Sequence, residues 1–80
     1  MGVGCITWAF VMVNSAPGQS EWVLDRIEEI EGVEEAYRIW GIYDIIAEVR
    51  AEKTWEISGI VLQIRNVNHV LSTLTLRVVE

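Results

Sequence analysis

Trp40-Gly41-Ile42-Tyr43-Asp44-Ile45-Ile46-Ala47-Glu48-Val49 follows one apolar β-type run and opens a second at the centre of the chain, and its reading decides the fold. Glycine admits positive φ, and a three-residue loop with Gly41 in the middle suits a hairpin, so Asp44 is expected to start the returning strand at the rim of a sheet. Outward from this hairpin the two halves echo each other. Ile27, Ile30 and Val33 match Ile64, Val67 and Val70, each pair 37 residues apart. The same offset pairs Gly4 with Gly41, carries Trp8, Phe10 and Met12 onto Ile45, Ala47 and Val49, and brings Val23 and Leu24 onto Ile60 and Val61. Two strand-helix-strand units are too few for a solenoid, which needs at least three. Their natural closure is an α+β fold: a ferredoxin-like βαββαβ sandwich with a four-stranded antiparallel sheet and two helices on one face.

The first helix is expected over 19–30, with Val23, Ile27 and Ile30 on one face, Pro17-Gly18 breaking the chain before it, Ser20 as an alternative N-cap and Gly32 available as a left-handed cap. The second is expected over 54–66 with Ile57, Ile60, Val61 and Ile64 aligned. Thr54 would be its N-cap, with Glu56 in the first turn and Arg65 in the last to complement the macrodipole. Gly59 inside it costs roughly 1 kcal/mol relative to alanine, which points to close packing there.

Strand parity separates two sheet faces. Trp8, Phe10, Met12, Tyr37, Ile39, Ile45, Ala47, Val49, Leu74 and Leu76 are expected to face the helices. The opposite face then carries Thr7, Ala9, Val11, Val13, Ala36, Arg38, Asp44, Ile46, Glu48, Thr73 and Thr75. The first strand is thus apolar on both faces. An antiparallel sheet with one wet face alternates with polar residues, so a second copy is expected to cover the Ala9-Val11-Val13 stripe, face to face, as in a dimeric α+β barrel.

Eighty residues at 51% hydrophobic content form one domain over 1–80 whose burial is marginal unless a partner covers more surface. Twelve acids against six bases leave a net charge of −6, which repels phosphate backbones and excludes direct nucleic-acid binding as an expected role. A lone cysteine, Cys5, makes no internal disulfide and reads as a small buried hydrophobe. With a single histidine there is no metal-type spacing, so a cytoplasmic location is expected. The Ile6–Val13 run before Asn14-Ser15-Ala16 mimics a signal-peptide core but lacks Lys or Arg before it, and it is too short to span a bilayer. Met1-Gly2 is not read as a myristoylation site, because Ile6 stands where Ser or Thr is wanted.

The Gly41-Ile42-Tyr43-Asp44 turn followed by Ile45-Ile46-Ala47-Glu48-Val49 resembles the G-x-Y-D-aliphatic signature of the effector-binding RAM domain in Lrp/AsnC-type feast/famine regulators. Val70-Leu71-Ser72-Thr73-Leu74-Thr75 is similar to that family's V-x-x-T-x-T strand, and the resemblance covers Trp8 to Val79 as a stand-alone domain without a helix-turn-helix. It implies a non-enzymatic domain without a cofactor that binds an amino acid or related effector between dimers, near the turn, and shifts a dimer-to-octamer equilibrium. Carried over by residue, Asp44 holds the α-ammonium, backbone groups around Gly41 and Tyr43 meet the carboxylate, and Thr73 or Thr75 supplies hydroxyls. Trp40 and Ile42 depart from the common family residues and are expected to alter which ligand fits. Co-assembly with full-length regulators of the family is the implied partnership.

Ordinary roles stand beside these. If Arg38 lies across the hairpin from Asp44, the two form a cross-strand ion pair worth under ~1 kcal/mol. Tyr43 and Trp40 can simply seal the rim of a small core. The acidic residues Asp25, Glu28, Glu29, Glu31, Glu34 and Glu35 read as a solvated surface without calcium-type spacing, and His69, at the repeat position of Gly32, reads as structural. Trp22, off the first apolar stripe, and Trp55, opening the second helix, are candidate interface anchors. Two other classes share the sandwich. A monooxygenase-like or haem-degrading dimeric enzyme would need a polar constellation inside the sheet-to-helix space, where this reading places Trp8, Phe10, Met12, Ile45, Val49 and Leu74. An ACT-type amino-acid-binding module pairs its sheets edge to edge, which a two-sided apolar first strand argues against.

Overall fold

The computed structural model describes residues 6–79. The chain runs β1 (Thr7–Ser15), α1 (Ser20–Glu28), β2 (Val33–Arg38), β3 (Ile45–Ala51), α2 (Thr54–Arg65) and β4 (Val70–Arg77). The four strands form one antiparallel sheet in the order β2-β3-β1-β4, the ferredoxin-like α+β arrangement that the repeat implied. The apolar run with a leader-like look is β1, an interior strand of that sheet. Cys5 and Gly4 lie outside the described residues.

The face assignment is reversed in three of the four strands. Register pairs Val11 with Ala47 and Thr75, Val13 with Ile45 and Thr73, and Ala36 with Ala47, so these residues share one face. Ala9, Val11, Val13, Ala36, Ile45, Ala47 and Val49 are buried together with Val23 and Ile27 of α1 and Ile57, Ile60 and Ile64 of α2. The helices therefore cover the Ala9-Val11-Val13 stripe, and that stripe makes no dimer face. Only β3 matches the sequence-based parity.

For β1 the cause is a one-residue slip between the halves. Buried positions in β1 and β3 correspond 36 apart, as Val11 and Ala47 do, whereas buried helix positions correspond 37 apart, as Ile27 and Ile64 do. A single residue inverts a strand because side chains alternate with period two. The open face carries Trp8, Phe10, Met12, Ile46, Tyr37, Leu74 and Leu76. Tyr37 is 54% exposed, Leu74 43% and Leu76 50%, so the sheet still presents an uncovered apolar surface.

Helix ends follow local chemistry. α1 is shorter than expected, stopping at Glu28, and its N-cap is Gln19. The N-cap of α2 is Lys53 rather than Thr54, and the Glu56 carboxylate reaches back to accept from the backbone N–H groups of Glu52 and Lys53, each at 3.1 Å. Glu56 and Arg65 occupy the first and last turns, as the macrodipole favours.

Each second strand is entered through a left-handed residue: Gly32 with φ 103° before β2 and His69 with φ 74° before β4, 37 positions apart. At Gly32 a Cβ would run into the Ile60 side chain, so both backbone and space demand glycine. The expectation of tight packing at Gly59 is not met, because the space where its Cβ would stand is open. Gly59→Ala is therefore expected to stabilise the fold by about 1 kcal/mol and to raise Tm by about 4–8 °C in a thermal melt. A lowered Tm would show that something packs against the helix there.

Candidate functional site

The β2–β3 connection is longer than the three-residue turn expected. Arg38 pairs with Ile45, and the next rung is a single bond from the Ile39 N–H to the Asp44 carbonyl at 2.9 Å, which leaves Trp40 to Tyr43 as the tip. Asp44 precedes β3 instead of starting it. Gly41 has φ 158°, near extended backbone, with open space around its Cα. Trp40 is fully exposed and Ile42 is 88% exposed, so neither seals the rim; Tyr43 is half-buried beside them.

Asp44 is anchored to a neighbour that sequence reasoning missed. Its backbone N–H donates to the Val13 carbonyl at 2.9 Å. Its Oδ2 accepts from the Ser15 N–H at 2.8 Å and from the Ser15 hydroxyl at 3.3 Å, and Ser15 is buried. The carboxylate thus closes the end of β1, where the chain leaves the sheet and a backbone donor would otherwise go unpaired. Among the described residues no ion pair joins Asp44 to Arg38. The clue was available: once Val13 is set opposite Ile45, Asp44 must lie beside Asn14 and Ser15. Among the described residues no hydrogen bond reaches Oδ1.

Thr73 and Thr75 lie on the helix-facing side of β4, and the structure does not bring them to Asp44. Their register partners, Val13 and Val11, face the helices, and both threonines are half-buried on β4. Since β1 intervenes between β3 and β4, Thr73 stands about two strand spacings, ~10 Å, from the Asp44 backbone.

A concavity of about 660 Å³ lies elsewhere. Arg50, Ala51 and Glu52 line it at the far end of β3, with Gly32, Glu56, Gly59 and Ile60. Six residues of strand place it ~20 Å from Asp44.

Other sequence candidates resolve simply. His69 gives its carbonyl to the Ala16 N–H at 2.8 Å and sets its ring edge-on to Trp22, with centroids 5.5 Å apart. The Arg26 guanidinium lies 5.3 Å from the Trp22 ring and pairs with Glu29 at 3.2 Å. The acidic run is exposed, and no group of potential metal ligands occurs among the described residues. On the open sheet face the Tyr37 hydroxyl donates to Glu35. That bond, with the carboxylate charge beside it, pushes the Tyr37 pKa above the ordinary tyrosine value.

Residues 8–80 match the family model described as the Lrp/AsnC ligand binding domain. A Thermus thermophilus protein of known structure is 31% identical, with a TM-score of 0.88 over 95% of each chain. The leucine response regulatory protein of Mycobacterium tuberculosis is 25% identical, with a TM-score of 0.80 over 92% of this chain and 51% of that one. A stretch of 53 residues, 66% of this chain, is 47% identical to part of the homocitrate synthase of Sulfolobus acidocaldarius, of which it spans 11%.

Proposed function

The chain belongs to the Lrp/AsnC ligand-binding domain family, and from that premise we propose that it is a non-enzymatic, amino-acid-sensing regulatory domain that acts by changing its assembly state. The observation that carries the reading is the family match over 8–80 joined to an exposed tip, where one carboxylate oxygen of Asp44 has no hydrogen bond among the described residues and Trp40 and Ile42 stand bare. Asp44 holds the ammonium of the effector, and the backbone at Gly41 and Tyr43 meets its carboxylate. A tip that is open in one protomer is completed when copies meet there.

The building block is a homodimer closed through the open sheet face. Trp8, Phe10, Met12, Ile46, Leu74 and Leu76 form a surface too apolar to stay wet in a chain this small. Ligand that prefers one arrangement of dimers shifts the population toward a larger ring such as an octamer, by no more than its difference in affinity between the states. The partners are full-length Lrp/AsnC-type regulators in the cytoplasm, whose DNA binding this chain modulates without touching DNA. A second reading, in which the same module serves a biosynthetic enzyme, is favoured by the segment shared with homocitrate synthase. The 11% of that enzyme's length that is covered brings none of its activity here.

Native mass spectrometry across a panel of amino acids tests the reading. Dimers that convert to a larger species with one amino acid bound per site are expected, and a constant mass distribution with every amino acid would sink it. In gel shifts the isolated chain is expected to leave duplex DNA free even at low salt, because its net charge is −6.

A further inference from the structure

The open sheet face, apolar over most of its area, carries charged strand residues at Glu35, Glu48 and Arg50. Register sets Glu35 beside Glu48 and Glu48 beside Phe10, so two carboxylates stand next to each other in one row across β2 and β3. Arg50, one row along β3, lies over the Trp8 ring at 6.0 Å and forms no ion pair among the described residues. β1 adds Trp8, Phe10 and Met12 to this face and β4 adds Leu74 and Leu76, none of them charged. The helices cover the other face, and Asp44, at the end of the sheet, keeps its carboxylate on Ser15.

The two carboxylates differ in what surrounds them. Glu35 stands on the edge strand and accepts from the Tyr37 hydroxyl. Glu48 is half-buried on an interior strand, accepts no hydrogen bond among the described residues, and lines a recess of about 160 Å³ with Phe10, Ile46, Glu35 and Tyr37.

Like charges side by side on adjacent strands repel, and in a single copy water screens them. A second sheet removes that water. The charge count is the same whichever way the second copy is turned: each copy brings two carboxylates and one guanidinium, so one carboxylate per copy is left without a cation. Burial and a neighbouring like charge both favour the neutral form of a carboxyl group.

We propose that closure of this face is coupled to protonation of Glu48, so that the chain associates as pH falls and separates as pH rises. The inference rests on the dimer reading above. Glu35, held by the Tyr37 hydroxyl at the edge of the sheet, keeps its charge. The sign follows from linkage: the dimer binds the extra proton, so it gains as protons become plentiful, and its advantage is lost as pH rises through the range in which the covered carboxyl releases that proton.

Sedimentation equilibrium at about pH 5.5 and about pH 8 tests the coupling, in about 0.5 M salt so that the general repulsion of an acidic chain is screened. The parent is expected to dimerise at least about tenfold more tightly at the lower pH. Glu48→Gln, neutral at both, is expected to dimerise equally at both, and at least about tenfold more tightly than the parent at the higher. Two controls keep the parent's dependence: Glu28→Gln, which removes a charge from the exposed surface of α1, and His69→Asn, which removes the imidazole beside Trp22. Circular dichroism confirms that each variant is folded. If Glu48→Gln disturbs the sheet, calorimetric dilution of the parent in two buffers of different ionisation enthalpy counts the protons directly, and their release on dissociation is expected. A parent dimer whose affinity changes by less than about twofold, a Glu48→Gln that keeps the full dependence, a His69→Asn that loses it, or dissociation without proton release overturns the coupling and leaves the dimer standing. A parent that is monomeric at every concentration and at both pH values overturns both.

Discussion

Val11→Lys is expected to abolish folding, while Phe10→Lys, one residue away, is expected to leave a folded monomer. Val11 is fully buried beneath the helices, with Ala47 and Thr75 as its lateral neighbours. Replacing it forfeits a buried valine, worth about 1.5–3 kcal/mol, and forces an ammonium into an apolar layer at a further cost of several kcal/mol. A domain of this size has only roughly 4–12 kcal/mol of stability to lose. Phe10 projects from the other face and is half-buried in one protomer, so lysine there keeps its charge in water until a second sheet approaches. Circular dichroism and sedimentation velocity on both variants separate the faces. A folded, monomeric Val11→Lys with an unfolded Phe10→Lys would show the sheet to be upside down.

Asp44→Asn is expected to cost about 1.5–3 kcal/mol of effector affinity, roughly 10- to 150-fold, with stability almost unchanged. Asparagine keeps a carbonyl oxygen for the Ser15 N–H and loses only the charge that a ligand ammonium would meet. Asp44→Ala also loses the tie to Ser15, so it should lower stability by about 1 kcal/mol in addition. Arg38→Gln is the control and should change neither property, since Arg38 pairs across the hairpin with Ile45 and not with Asp44. Calorimetric titration of the three variants with the amino acid that binds the parent gives the answer. Equal affinity throughout would reduce Asp44 to a strand clip.

The topology was legible because helix periodicity and a repeated apolar pattern are coarse signals that survive small errors of register. Val23, Ile27, Ile57, Ile60 and Ile64 are buried where their spacing put them. Sheet faces are a finer signal. One extra residue between strand and helix in the second half was enough to invert Trp8, Phe10 and Met12, although the conclusion that β1 is apolar on both sides held. The tip was recognisable from Gly41, Tyr43 and Asp44, but the anchor at Ser15 was not. Their contact spans 29 positions and depends on how β1 and β3 are aligned, which no local pattern records. Gly59 misled for another reason: the cost of a helical glycine is a property of backbone entropy, and it carries no information on what lies outside the helix.

The four tryptophans occupy four different environments, and so the molecule carries its own optical reporters. Trp40 is entirely in water at the tip, Trp55 is 71% exposed at the entrance to α2, Trp22 lies between Arg26 and His69, and Trp8 stands on the open sheet face beside Arg50. Indole emission shifts to the blue as water is removed from the ring, so closure of one sheet on another would be seen through Trp8 and occupation of the tip through Trp40. Single-tryptophan versions of the chain would then time the two events separately, and show whether an effector meets a finished dimer or waits for a larger assembly to form.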